Sequence, residues 1–108
     1  MIKSRSVDKL QHIKGLITKK NYSISKHAFA EAFQDNFSLE DILNGIQDGE
    51  VIENYLERKR LLIYAKLRSK AIHIVVDYSE VNYIWIVTVY KPDPNEWISD
   101  KVRKERLK

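Results

Sequence analysis

Leu61-Leu-Ile-Tyr-Ala-Lys-Leu67, Ile72-His-Ile-Val-Val-Asp-Tyr78 and Ile84-Trp-Ile-Val-Thr-Val-Tyr90 are the three runs that decide the fold of this chain. In each, one alternating set of positions is wholly apolar and the other is mixed, the period-two mark of a strand with one buried face. Together they predict two back-to-back β-hairpins. If a turn at Ser69-Lys70 makes Leu67 face Ile72, then Ala65 faces Ile74 and Ile63 faces Val76. If Tyr78 faces Tyr83 across the next loop, Ile74 faces Val87, Val76 faces Trp85 and Ile72 faces Val89. Slipping either hairpin by one residue would mix the apolar and polar faces, so hydrophobic consistency selects this register.

Outward from the hairpins, Val51-Ile-Glu-Asn-Tyr-Leu56 continues the period of two and predicts a further strand, joined through the charged Glu57-Arg-Lys-Arg60. Upstream the period is helical. Asp8 to Lys20 sets Leu10, Ile13, Leu16 and Ile17 on one face, with Val7 before them, Ser6 as N-cap and Asn21 suited to a left-handed cap. Ser25 reads as the N-cap of a second helix through Ala28, Ala32 and Phe33, with Ile24 and Phe29 as a staple. Ser38 and Asp41 form a capping box ahead of Leu39, Ile42, Leu43 and Ile46, a third buried stripe that Gly49 ends. Downstream, Asp93-Pro94-Asn-Glu96 supplies an N-cap, a proline at N1 and a glutamate at N3, predicting a short helix packed through Trp97, Ile98 and Val102. The expected architecture is α+β: N-terminal helices on one face of a four-stranded antiparallel sheet, with a short C-terminal helix and a basic end over about 94–108.

A chain of 108 residues, 44% hydrophobic and 10% aromatic, suits one domain spanning 1–108. The absence of cysteine excludes disulfides and thiolate metal sites. His12, His27 and His73 stand apart, without metal-ligand spacing, so neither a metal nor a cofactor is expected. No apolar run approaches 18 residues and no signal-peptide pattern opens the chain, which makes a cytoplasmic protein without a membrane partner the expectation. A formal charge of +4 mildly favours an acidic or polyanionic partner.

The mixed face is where chemistry concentrates. The register sets Lys66, His73 and Thr88 side by side, with Arg68, Ala71 and Tyr90 in the next row and Tyr64, Val75 and Ile86 in the row beyond. If Ile52 faces Ile63, Glu53 and Tyr55 join them. Metal-independent RNA cleavage needs a base for the 2′-hydroxyl, a cation for the developing phosphate charge and an acid for the leaving oxygen. His73 and Tyr90 are candidate proton carriers, Lys66 and Arg68 candidate phosphate contacts, and Tyr64 can stack on a splayed base beside Thr88 and Glu53. His27, in the first turn of the second helix, is a further candidate: the positive helix end favours a neutral imidazole that can accept a proton. The same face also suits a module that binds a protein or nucleic acid without catalysis. The edge from Val51 to Leu56 is open to a partner's strand or helix.

Ile24-Ser-Lys-His27-Ala28, Ser38 to Asp41, Asp48-Gly49-Glu50-Val-Ile-Glu53-Asn-Tyr55, Ile72-His73-Ile-Val-Val76 and Thr88-Val-Tyr90-Lys-Pro92-Asp-Pro-Asn-Glu-Trp97, taken in order, resemble the small bacterial family named domain of unknown function 4258. The resemblance spans about residues 23–100 and implies kinship with the RelE and ParE toxin fold, whose RelE-type members are RNases paired with antitoxins. It singles out His27, Glu53, His73, Thr88, Tyr90 and Pro92. What it implies is a toxin-like endoribonuclease, with RNA as substrate and an antitoxin or other protein as partner. This chain departs from the family pattern after its His-Ala, where Glu31, Ala32, Gln34, Asp35 and Asn36 replace a stretch that usually carries two arginines. The oligomeric state is left open by the sequence.

Overall fold

The computed structural model describes residues 4–103, with side chains from Asp8 onward. Helix α1 (Ser4–Thr18) is followed by strand β1 (Tyr22–Ile24), helices α2 (Lys26–Gln34) and α3 (Leu39–Asp48), and strand β2 (Glu50–Tyr55). A 3₁₀ turn (Leu56–Arg58) leads to β3 (Arg60–Leu67), β4 (Lys70–Glu80) and β5 (Tyr83–Tyr90). The sheet has five strands in the order β1-β5-β4-β3-β2. It is mixed, because β1 runs parallel to β5 while every other pair is antiparallel. No helix among the described residues is long and apolar enough to cross a membrane.

The expectation of four antiparallel strands therefore needs correcting. Three residues are too few to show an alternation, and β1 is defined by its partner instead. Ile84 N donates to Asn21 O at 3.2 Å and Ser25 N to Ile86 O at 2.9 Å, so the chain borrows the β5 edge on its way into α2. The Ser25 side chain accepts from Ala28 N at 3.0 Å, the expected N-cap. Asp41 N donates to Ser38 Oγ at 3.0 Å and Ser38 N to Asp41 Oδ2 at 2.9 Å, closing the capping box of α3. Helix α1 starts earlier than expected: Ser6 lies inside it rather than capping it, and the Val7 side chain lies outside the described residues. Lys20, not Asn21, takes the left-handed conformation after it, at φ 64°.

All three helices cover one face of the sheet. Leu10, Ile13, Leu16 and Ile17 from α1, Ala28 and Ala32 from α2, and Ile42 and Ile46 from α3 pack on Val51, Leu61, Ile63, Ala65, Ile72, Ile74, Val76, Ile84, Ile86 and Val89. Glycine lets α3 approach the sheet this closely. A Cβ on Gly45 would meet Ile74 Cδ1 at 2.9 Å, and one on Gly49 would sit 2.6 Å from Ile63 Cγ2 and 2.8 Å from the Tyr64 carbonyl. Leu39 and Phe33 stay exposed rather than joining this layer.

The apolar set is the expected one on β3 and β4, but its partners differ. The β3–β4 turn is Arg68-Ser69, with Arg68 at φ 56°, so Leu67 pairs with Lys70, Ala65 with Ile72 and Ile63 with Ile74. A shift of two residues preserves which side each residue faces, which is why hydrophobic matching alone does not detect it. On β5 the ladder jumps from Val75↔Thr88 to Val76↔Ile86, a bulge at Val87 that reverses the alternation. Ile84 and Ile86 turn inward, and Trp85, expected in the apolar row, is 40% exposed. On β2 a second bulge pairs Val51 with Ile63 and then Glu53 with Leu62. Glu53 and Tyr55 thereby reach the outer face as expected, through a different register.

The expected C-terminal helix does not form among the described residues. Asp93 Oδ1 accepts from Asn95 N at 2.9 Å, and Trp97 N donates to Asp93 O at 3.1 Å, giving a single capped turn. The chain then reverses: Trp97 bridges Arg103, and Ile98 N donates to Val102 O at 2.7 Å. Ile98 and Val102 are exposed; Trp97 is the side chain of the expected trio that is buried. Residues 104–108 of the expected basic end lie outside the described residues.

Candidate functional site

The outer face of the sheet is not open. Residues 92–103 form a strap across it, and Trp97, 3% exposed, lies edge-on against His73 with ring centroids 4.5 Å apart. Beneath the strap, His73 is fully buried, with Leu62 and Ala71 also out of solvent. These residues make a second, small packing layer. It exists because β3 and β4 carry Leu62 and Ala71 at outward positions, where a solvated face would carry polar residues.

Both ring nitrogens of His73 are engaged. Nε2 lies 2.5 Å from the Asp100 carbonyl oxygen, which only accepts, so Nε2 carries the proton. Nδ1 of the neutral ring then accepts from the Tyr90 hydroxyl at 3.3 Å. Burial lowers the His73 pKa, an effect opposed by the Asp100 carbonyl and the Glu53 charge. Burial likewise raises the Tyr90 pKa. Tyr90 and Tyr64 flank the imidazole on either side, at centroid distances of 5.2 and 6.2 Å. The observed row is thus Tyr64–His73–Tyr90 rather than Lys66–His73–Thr88, because Lys66 pairs with Ala71 and Thr88 with Val75.

The strap is latched on its far side by charge. Arg103 Nη2 donates to Glu53 Oε1 at 3.1 Å and Nε to Glu53 Oε2 at 3.3 Å, a bidentate pair, while the guanidinium carbon lies 4.5 Å from the Trp97 ring centroid. Arg103 Nη2 also reaches the Tyr55 hydroxyl at 3.4 Å, and that hydroxyl donates to Glu53. Burial together with the Glu53 hydrogen bond pushes the Tyr55 pKa up to about 12. Lys101 Nζ pairs with Glu50 Oε2 at 3.2 Å and lies 5.3 Å from the Tyr64 ring centroid. Glu53, a candidate substrate contact, pairs here with the chain's own Arg103.

The remaining candidates are dispersed. The side chains of Lys66 and Arg68 are exposed near the β3–β4 turn, with no hydrogen bond or ion pair to another described residue. Thr88 is half-buried on β5. His27 stands at the start of α2 with its side chain 68% exposed, Nε2 lying 3.2 Å from Glu31 Oε1. Among the described residues, no hydrogen bond, ion pair or ring contact connects His27 to His73. Glu31 and Asp35 have a role that their chemistry alone did not suggest: Glu31 Oε1 accepts from Val89 N at 3.1 Å and Asp35 Oδ2 from Lys91 N at 2.9 Å. These two carboxylates satisfy backbone donors along β5 beyond the end of β1. Lys70 Nζ, donating to the Asp35 and Asn36 carbonyls at 2.9 and 3.3 Å, ties the same corner to β4.

Sequence reasoning missed Glu50, Trp97, Asp100, Lys101 and Arg103 as parts of this site. The available signal was the pair of prolines at 92 and 94, followed by an aromatic residue and two cations before any apolar periodicity is established.

Residues 24–91 match the family described as Domain of unknown function (DUF4258). The chain belongs to the DUF4258 family. No curated protein and no solved structure matches it. The matched DUF4258 region contains α2, α3, β2 through β5 and the positions His27, Glu53, His73, Thr88 and Tyr90; of β1 it includes Ile24 alone. Pro92 and the strap fall beyond the matched residues, as does α1.

Proposed function

We propose that this DUF4258 protein is a non-catalytic binding module that engages its partner on the outer face of β3, β4 and β5. The observation that supports it is the state of His73: a buried neutral imidazole with a donor and an acceptor already in place has no lone pair or proton free for a substrate. His27, the other candidate base, lies beside acidic Glu31, and the cations Lys66, near the end of β3, and Arg68, in the β3–β4 turn, extend into solvent. Base, acid and cation do not converge on one point, as in-line cleavage of a phosphodiester requires. The test is incubation of single-stranded RNA with the purified protein in EDTA, for the parent and for Trp97→Ala. The expected result is intact RNA in both; cleavage that His73→Ala abolishes would overturn the reading.

A second reading, a toxin-like metal-independent endoribonuclease of a toxin–antitoxin system, draws on one feature. The Tyr90 hydroxyl is hydrogen-bonded to His73, Tyr64 borders that pair, and Lys66 and Arg68 follow Tyr64 toward the end of β3 and its turn. With the strap displaced, this grouping offers a proton carrier, a stacking ring and two cations for RNA. Growth arrest on expression, relieved by a neighbouring gene, is its expected signature.

A further inference from the structure

We propose that the outer sheet face is a docking surface for a protein segment that presents an aromatic side chain, a free backbone carbonyl three residues later and a guanidinium three residues after that, and that the strap is its resting occupant. This deepens the binding-module reading and rests on it.

The recognition elements are already visible in the intramolecular contact. Trp97 lies edge-on against the His73 ring, which Tyr90 and Tyr64 flank on the sheet. The Asp100 carbonyl takes the proton of His73 Nε2, and Arg103 takes the Glu53 carboxylate in two hydrogen bonds. Positions 97, 100 and 103 therefore read three chemically different features of the face at equal spacing. Lys101 adds a fourth contact through Glu50.

The occupant is built to leave. It has one capped turn and one isolated bridge, it is joined to β5 through Pro92 and Pro94, and from residue 93 onward Trp97 is its buried side chain. The sheet beneath is fixed from its other side by the whole helical layer and lies within the DUF4258 match, whereas the strap lies outside it.

The charge of the uncovered face selects the ligand class. When the strap lifts, Lys101 and Arg103 go with it, and Glu50 and Glu53 are left without their counter-ions. A phosphate backbone laid over that half of the face would meet two carboxylates; a cationic protein segment restores the pairs. The His73 N–H also suits a peptide carbonyl.

The experiment uses a fluorescently labelled synthetic peptide spanning residues 93–103 and the full chain as parent, Trp97→Ala and Arg103→Ala. Each variant is first checked for cooperative unfolding. Since a cis occupant lowers apparent affinity by the fraction of time the face is free, the opened chains should bind the peptide about tenfold tighter than the parent or more. Having two opening variants keeps the test decisive if one fails to fold. A charge reversal adds specificity: Glu53→Arg in the Trp97→Ala background should abolish binding, and a peptide carrying Arg103→Glu should restore it. Equal binding to parent and opened chains, no binding to folded opened chains, or indifference to the reversal would overturn the proposal. So would preference of the opened chains for a single-stranded RNA oligonucleotide, or a strap-exchanged dimer of the parent in solution. RNA hydrolysis by the opened chain would instead overturn the non-catalytic reading, leaving peptide docking to be judged by its own arms.

Discussion

The two faces of the β2–β5 sheet are closed in different ways. The inner face is closed by three helices through a continuous aliphatic layer in which Ile13, Ile42, Ile46, Ile63, Ile72, Ile74 and Val76 are almost wholly out of solvent. The outer face is closed by a single indole, one hydrogen bond from His73 to the Asp100 carbonyl and two ion pairs between the strap and β2. Aliphatic burial is non-directional and grows with area, so the inner face has no local way to open. One aromatic side chain contributes on the order of 4–6 kcal/mol gross. Against that stands the conformational entropy of a segment with almost no regular structure, and exposed ion pairs add only about 0–1 kcal/mol each. One face is therefore scaffold, and the other is a surface with a removable cover.

That contrast is exposed first by substitution. Ile74→Ala on the inner face should cost about 2–5 kcal/mol and lower the denaturant midpoint without changing the slope. Glu31→Ala, at the β5 edge, should cost about 1–3 kcal/mol, because it leaves the Val89 N–H without its carboxylate. Trp97→Ala should cost less global stability than Ile74→Ala, on the order of 1–2 kcal/mol, since the strap is lost as a local unit. Equal costs for Trp97→Ala and Ile74→Ala in chemical denaturation would break the contrast.

The smallest effect concerns pH. Burial holds the His73 pKa below its unfolded value of about 6.5, so the unfolded chain binds the proton more readily. The contribution of neutral His73 is fully present above about pH 6.5 and is lost as pH falls from there toward the depressed native pKa. Denaturation of the parent between pH 7.5 and 5 should show this loss. In Trp97→Ala, with the imidazole reaching water, this part of the pH dependence should shrink; an unchanged dependence would mean that the strap is not what buries His73.

How far the sequence could be read follows the same division. The strands β3 and β4 and most of the three helical stripes were legible because each side chain's burial repeats with the period of its own element, whereas β5 was legible as a strand but not in which way Ile84, Trp85 and Ile86 face. Facing was robust on β3 and β4 even though the hairpin turn was placed one residue late, since a two-residue shift leaves every side chain on its side. The bulges at Ile52 and Val87 were not legible: each is a mismatch between two strands, and nothing in either strand alone marks it. The candidate site was read in its members but not in its neighbours. His73, Tyr90, Tyr64 and Glu53 do share a face, yet the partners that decide their chemistry come from Trp97, Asp100 and Arg103, the hydrogen bonds among them reaching over 27 and 50 residues of chain. Asp93 capped a real turn, but its helix ended there because burying Trp97 against His73 draws the chain back across the sheet. Glu31 and Asp35 looked like lost cations in a site; they are backbone acceptors at a strand edge.

Native-state hydrogen exchange at low denaturant tests the central claim most directly. The account predicts that the Ile98 and Trp97 amides, bonded within the strap and to Asp93, exchange through an opening of small free energy that does not depend on denaturant. Amides of the β3–β4 ladder should exchange only through global unfolding, and Trp97→Ala should abolish strap protection while leaving that ladder as it was. Strap amides that exchange with the same free energy and denaturant dependence as the ladder would contradict a removable cover and make the outer face part of one cooperative core.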